Sequence, residues 1–214
     1  MQFKKRIFLV TLAVAAIIFL LGIFMGEKLD EWRVVESDLL IEEAFLDSES
    51  FVVESQFLET FGAESCETLE PRLRSLSRSL FKTGTLLQDF DEKKMSNLGQ
   101  YDDLKRKHYL NQMKAILLNK QLQEDCGTEN KVVLFFFKVD DADSQIQGEV
   151  LDAFVRIVND SHVFSFDVDF DEPSVEVMKT HFNITVSPTL LLNFEYKMEE
   201  LTYVGDVLAY YDLE

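Results

Sequence analysis

The chain has 214 residues, of which 47% are hydrophobic, 12% aromatic and 28% charged, and its formal net charge is −18. This hydrophobic and aromatic content argues against a disordered protein, and the negative charge argues against nucleic acid as a partner. Two cysteines are too few for a disulfide-rich scaffold or for a zinc site built from thiolates alone.

Residues 7–25 form an uncharged, mostly apolar run that, as a helix, would extend roughly 28 Å, close to the thickness of a bilayer core. No clear small-residue cleavage site follows this run, so we predict an uncleaved transmembrane anchor, with a cleaved signal peptide as the alternative. Lys4, Lys5 and Arg6 precede the run, and the positive-inside rule therefore places residues 1–6 in the cytoplasm. The sequence predicts a single-pass cell-membrane protein that meets the lipid bilayer through this helix and holds the remaining chain outside.

Residues 27–128 show helical periodicity, and the clearest pattern in them is a pair of long amphipathic segments. The first segment has apolar residues at spacings of four and three, which is typical of a helix packed in a hairpin or coiled coil: Leu69, Leu73, Leu76, Leu80, Leu87 and Phe90. A polar loop at 91–99 is followed by a second helix predicted from Tyr101 to Cys126, with Gly127 as its stop. Because a short loop joins the two helices, we expect an antiparallel hairpin. A hairpin near a membrane is usually a spacer or a dimerisation surface, and simple packing in the core is the alternative.

From residue 129 the pattern alternates between strands and helices. Strands are predicted at 132–137, 163–168, 189–194 and 201–204, and helices at 147–158, 173–182 and 206–211. The first strand is apolar throughout, as expected for a central strand that is covered on both faces. Ser187 and Pro188 come directly before the third strand, where proline is tolerated and where a tight bend favours a cis bond. The fold class is therefore α/β, with the order β-α-β-α-β-β-α in the C-terminal part.

This order, with Pro188 in the place of the family's cis-proline, resembles the thioredoxin fold over residues 129–214. The resemblance implies a Cys-x-x-Cys at the start of the first helix of the domain, where the helix terminus lowers the pKa of a thiol. In this sequence the corresponding positions are Asp141 and Ser144, so both thiols are missing. Gln147-Gly148, a little further on, is similar to the sequence of membrane-anchored archaeal relatives that do carry the motif. The resemblance thus implies a member of the family that is inactive in redox chemistry.

The two cysteines lie at corresponding ends of the predicted hairpin. Cys66 comes just before the first helix and Cys126 ends the second, so antiparallel packing brings them to the same pole. We predict a disulfide bond between them, which an extracytoplasmic location would allow to persist. Two free buried thiols and an intermolecular bridge are the alternatives.

Other candidate sites are weaker. Asp140, Asp141 and Asp143 lie on one loop and have the oxygen ligands that Ca²⁺ prefers, but the sequence has no EF-hand pattern, so we predict no metal site. Asn159 and Asn183 each begin a sequon for N-glycosylation, which fits an exposed domain.

The sequence predicts no catalytic residue and no cofactor. We expect a membrane-anchored binding, scaffolding or chaperone-like protein whose groove at Ser187 and Pro188 receives an unidentified protein or an extended peptide. The alternative is a thiol–disulfide oxidoreductase in which Cys66 and Cys126 form a redox pair of a non-standard kind.

Overall fold

The computed structural model describes residues 12, 14–25, 42, 46, 49–54, 56–57, 66–93 and 98–213. The chain divides into two units, Met1–Leu46 and Asp47–Glu214. In the first unit the described residues are helical, including the continuous stretch 14–25. All the elements named below belong to the second unit.

The predicted transmembrane helix is wrong. None of the helices in the described ranges is both long enough and apolar enough to cross a membrane. The basic residues Lys4, Lys5 and Arg6, on which the predicted orientation depended, lie outside the described residues.

The second unit consists of a long helical hairpin followed by a small mixed α/β arrangement. In chain order the elements are α1 (Cys66–Lys93), α2 (Leu98–Cys126), β1 (Lys131–Phe137), α3 (Ala142–Ile157), β2 (Ser161–Asp167), α4 (Pro173–His181), β3 (Thr189–Leu192), β4 (Tyr196–Met198) and α5 (Val204–Tyr210). The predicted β-α-β-α-β-β-α order is present from β1 to α5, although several boundaries differ.

The hairpin forms because each of its helices buries one apolar side. Leu69, Leu73 and Leu76 of α1 are buried, as is Leu122 near the end of α2. The predicted loop at 91–99 is too long, since α1 continues to Lys93 and α2 already begins at Leu98. The added positions include glutamate and lysine, which have high helix propensity and extend a helix beyond its apolar pattern.

The sheet has the strand order β2-β1-β3-β4. β1 pairs with β2 in parallel and with β3 antiparallel, and β3 pairs antiparallel with β4. The five central residues of β1 are all buried, as predicted for a strand that is covered on both faces. β2 is consequently an edge strand, and its outer side has no strand beside it in the described part of the chain.

The last strand lies earlier than predicted. β4 occupies Tyr196–Met198, whereas the predicted strand 201–204 contains residues without regular structure. The reason is a side chain that takes the place of a neighbouring strand: the buried Gln147 amide donates to the Thr202 carbonyl at 3.2 Å and accepts from the Thr202 N–H at 2.8 Å. These two bonds satisfy the backbone of Thr202 without a ladder.

Helices cover both faces of the sheet. Side chains of α1, α2 and α4 form one hydrophobic core with Val132, Leu134 and Phe136 of β1. Side chains of α3 and α5 form a second core with Val133 and Phe135, which point to the opposite face. The hairpin therefore packs directly on the sheet and supplies one of its two covering layers.

Candidate functional site

Asp141 positions the start of α3, at the place where the resemblance puts the first cysteine. It is the N-cap residue of the helix, with an extended backbone, and its carboxylate accepts the backbone N–H of Ser144 at 2.9 Å. A side-chain oxygen at this position satisfies one of the backbone donors that a helix start leaves unpaired. Because of this cap, α3 begins at Ala142, five residues before the predicted start at 147.

Ser144 occupies the second cysteine position and is only 3% exposed. Its hydroxyl lies 2.6 Å from the Asp141 carboxylate, 3.2 Å from the backbone N–H of Lys138 and 3.1 Å from the hydroxyl of Ser187. The carboxylate can only accept, so Ser144 donates its one proton to Asp141 and accepts from both Lys138 and Ser187. The hydrogen-bonding capacity of this hydroxyl is fully used.

This arrangement does not make a nucleophile. The hydroxyl hydrogen bond from Ser144, together with the backbone N–H of the same residue, lowers the pKa of Asp141, so its carboxylate is a weak base. No described histidine is hydrogen-bonded to Ser144, and a serine needs a neighbouring base to attack a substrate. The cluster of Asp141, Ser144 and Ser187 is a polar lock that holds the start of α3 against the loop before β3.

The Pro188 loop completes the site. The Ser187–Pro188 peptide bond is cis, and Pro188 is buried directly before β3. The hydroxyl of Thr189 donates to the carbonyl of Val186 at 2.8 Å and closes the turn. The loop thus brings Ser187 to the polar lock, although 43 residues separate Ser187 from Ser144.

Exposed aliphatic side chains flank this polar lock in sequence. Val139 follows Lys138 and Val186 precedes Ser187; they are 55% and 45% exposed. Asp140 and Asp143 are also exposed there. The surface around the lock therefore combines apolar side chains with negative charge. The sequence did not predict this combination, because only a redox motif was expected at these positions.

The acidic loop does not gather into a metal site. Asp141 is engaged with Ser144, and Asp140 and Asp143 point to solvent. Across the described residues, no group of three or more histidine, cysteine, aspartate or glutamate side chains is arranged to hold a metal ion. Asn159 and Asn183 are both exposed, and glycosylation at their sequons stays a prediction.

The predicted disulfide is confirmed. Cys66 and Cys126 are bonded, with their Cα atoms 5.7 Å apart, and they join the first residue of α1 to the last residue of α2. They account for both cysteines of the chain. Neither contributes to the polar lock.

A buried ion pair that the sequence analysis missed fastens the hairpin to the sheet. The Lys105 ammonium of α2 lies 2.7 Å from the carboxylate of Asp167 at the end of β2, and both side chains are almost fully buried. The ammonium is also 4.6 Å from the centre of the Phe170 ring, where a cation is favoured. The Tyr109 hydroxyl accepts the backbone N–H of Asp167 at 3.0 Å. The signal in the sequence was the spacing of Lys105 and Tyr109, which puts both on one side of a helix.

Comparisons with known proteins give only partial likenesses. No protein-family model matches the sequence, and no curated protein matches it. A solved structure of a malarial protein is similar to 38% of this chain and 92% of its own length, with 17% identity and a TM-score of 0.34. A thioredoxin-2, described as a component of malaria parasite protein secretion machinery, is similar over 39% of this chain and 82% of its own length, with 17% identity and a TM-score of 0.35. In this chain, the thioredoxin-like fold is seen in the element order from β1 to α5, the mixed sheet and the cis Ser187–Pro188 bond.

Proposed function

We propose that this protein is a thioredoxin-like binding module without redox activity, and that its Pro188 loop receives an extended polypeptide. The observation that carries the proposal is the hydroxyl of Ser144, which is fully hydrogen-bonded to Asp141, Lys138 and Ser187 where a redox protein needs a thiol. A hydroxyl cannot exchange with a disulfide, so the chemistry left to this surface is binding.

The surroundings of the polar lock support a ligand of a particular kind. Val139 and Val186 offer exposed aliphatic contacts, and burying each of them would contribute up to about 2 kcal/mol. The exposed carboxylates of Asp140 and Asp143 lie on the same loop, and the protein as a whole carries a net charge of −18. The ligand that suits this surface is an extended segment that alternates aliphatic and basic side chains.

The compartment is part of this proposal. A disulfide persists where the redox environment is oxidising, and the bond between Cys66 and Cys126 supports placing the protein outside the cytosol. The same bond stabilises the hairpin, since it joins the start of α1 to the end of α2. A role for it in thiol exchange is the alternative function, and insulin reduction that disappears in Cys66→Ala/Cys126→Ala would establish that alternative.

The proposed site is tested with a fluorescein-labelled decapeptide of alternating valine and lysine, whose binding is followed by fluorescence anisotropy. Val186→Ser should weaken binding about tenfold, because it removes an apolar contact beside the lock without changing the charge of the surface. Val177→Ser on α4 is the matched control, since Val177 is 61% exposed and lies on a different element. Equal loss in the two variants, or none in Val186→Ser, would contradict the proposal.

A further inference from the structure

β2 presents an unpaired backbone edge in this fold. Its bonds to β1 begin with Lys131 N–H to Asp160 C=O and end with Val168 N–H to Phe137 C=O. In a parallel pair, alternate residues of a strand face the partner, so the even-numbered residues of β2 bond to β1. The N–H and C=O groups of Ser161, Val163, Ser165 and Asp167 consequently point away from the sheet.

The hairpin covers one half of this edge. The Gln112 amide of α2 donates to the carbonyl of Ser165 at 3.2 Å, and the N–H of Asp167 donates to the Tyr109 hydroxyl at 3.0 Å. The C=O of Asp167 accepts from the N–H of Phe170 at 3.3 Å. The five remaining outward groups, namely the N–H and C=O of Ser161 and Val163 and the N–H of Ser165, have no hydrogen-bond partner among the described residues. An open edge of this kind is a template for another strand.

Gln112 supplies a second, independent sign of a missing ligand. It is only 4% exposed, and its side-chain carbonyl Oε1 has no hydrogen-bond partner within the described part of the chain. A buried acceptor left unpaired costs about 1–3 kcal/mol, so such atoms usually meet a partner. Gln112 lines the same groove as the open edge, and an N–H of an added strand would satisfy it.

The groove has the shape of a channel for one extended chain. Its volume is about 1000 Å³, at the upper end of the range for small-molecule sites. β2 forms its floor, the hairpin forms one wall with residues such as Phe81, and α3 forms the other with residues such as Val155. Phe81 and Val155 are both exposed, and they give the two walls apolar surface.

We propose that this groove binds an extended polypeptide that adds a strand to the open edge of β2. The edge lies between two helical walls, and a single extended strand can pair its main chain with β2 while its side chains pack on both walls. Main-chain bonds to Ser161, Val163 and Ser165 supply affinity, and apolar side chains on the strand pack against the walls. One end of the groove reaches Val139 and Ser144 of the site proposed at the Pro188 loop, but the backbone groups that would bind the strand all belong to β2.

The test uses a substitution that removes an outward N–H without breaking the ladder. Val163→Pro deletes a donor that faces away from β1, a position at which a strand tolerates proline. Val163→Ala is the matched control, because it shortens the same side chain and keeps the N–H. The probe is a fluorescein-labelled octapeptide of alternating valine and threonine, and its counterpart carries methyl groups on alternate backbone nitrogens.

We expect saturable binding of the unmethylated peptide to the full-length protein and to Val163→Ala, and at least tenfold weaker binding to Val163→Pro. The methylated peptide should bind weakly to all three, and Val186→Ser should bind the unmethylated peptide like the unmodified protein. Urea unfolding should show that Val163→Pro remains folded. The proposal is overturned if the peptide does not bind, if methylation has no effect or if Val163→Pro and Val163→Ala bind equally. Slow hydrogen exchange of the Val163 and Ser165 amides in the free protein would also overturn it, since the edge would then already be paired.

Discussion

Replacing Cys66 and Cys126 with alanine should destabilise the protein by about 4 kcal/mol. The bond closes a loop with a sequence separation of 60, because it joins the first residue of α1 to the last residue of α2. In the chain-entropy model, closing such a loop removes about 14 cal/mol/K from the entropy of the unfolded chain, which corresponds to about 4 kcal/mol at room temperature.

The packing around the disulfide indicates that most of this loss of about 4 kcal/mol should be observed. Leu69 and Leu122, each close to one end of the disulfide, are buried in the core that the hairpin shares with the sheet. The folded hairpin is therefore held in place without the bond, and the substitutions act mainly on the unfolded state. Cys66 is exposed and Cys126 is partly exposed, so truncation to alanine leaves no large cavity to add to the loss.

The measurement is guanidinium unfolding followed by far-ultraviolet circular dichroism, with thermal unfolding as a second readout. The double alanine variant should unfold roughly 8–16 °C lower than the unmodified protein, at about 2–4 °C per kcal/mol for a chain of this size. A phosphine reductant should lower the unfolding temperature of the unmodified protein to that of the variant, and it should leave the unfolding temperature of the variant unchanged. A loss below about 1 kcal/mol would refute the reasoning, because the unfolded chain would then gain little freedom from breaking the bond.

Two further predictions concern buried ionisable groups. Lys105→Met should cost about 3 kcal/mol in urea unfolding, because it leaves the Asp167 carboxylate buried without its cation, and adding Asp167→Asn should recover most of the loss. Full stability of Lys105→Met alone would contradict this. Burial lowers the pKa of His108 from 6.5 to about 4. Between these values the unfolded chain binds a proton that the folded chain does not, so stability should fall by up to about 3 kcal/mol as the pH drops from 6.5 to 4. His108→Gln should remove that part of the pH dependence, and an NMR titration of His108 near its ordinary pKa would show the reasoning to be mistaken.

The features that the sequence predicted well depend on local patterns. The alternation of apolar residues from Leu69 to Phe90 indicates one buried side of a helix, and a short connection to a second helix leaves an antiparallel hairpin as the simple packing. The disulfide follows from that packing, because Cys66 and Cys126 lie at the same pole. The apolar run of β1 likewise indicates a strand with both faces covered.

The features that it missed depend on contacts between distant residues. Lys105 and Asp167 are 62 positions apart, and neither has a local pattern that identifies the other as its partner. The position of β4 was wrong because the side chain of Gln147 satisfies the backbone of Thr202, a bond that strand propensity does not describe. For residues 7–25, an apolar composition was taken as a membrane span, whereas none of the helices in the described ranges is both long and apolar enough to cross a membrane.

The polar lock and the β2 edge show two opposite ways in which this fold treats polar groups. At the lock, the hydroxyl of Ser144 has all of its hydrogen bonds within the chain and has no free capacity for a ligand. At the edge, the backbone of Val163 and the Oε1 atom of Gln112 have none within the described residues. Unpaired groups in a groove gain most from a partner that brings its own donors and acceptors, and an extended main chain brings both at every second residue. Among the described residues of β2 and the polar lock, the unpaired groups thus lie at the edge of the sheet, which is why the proposed strand is placed there and not at Ser144.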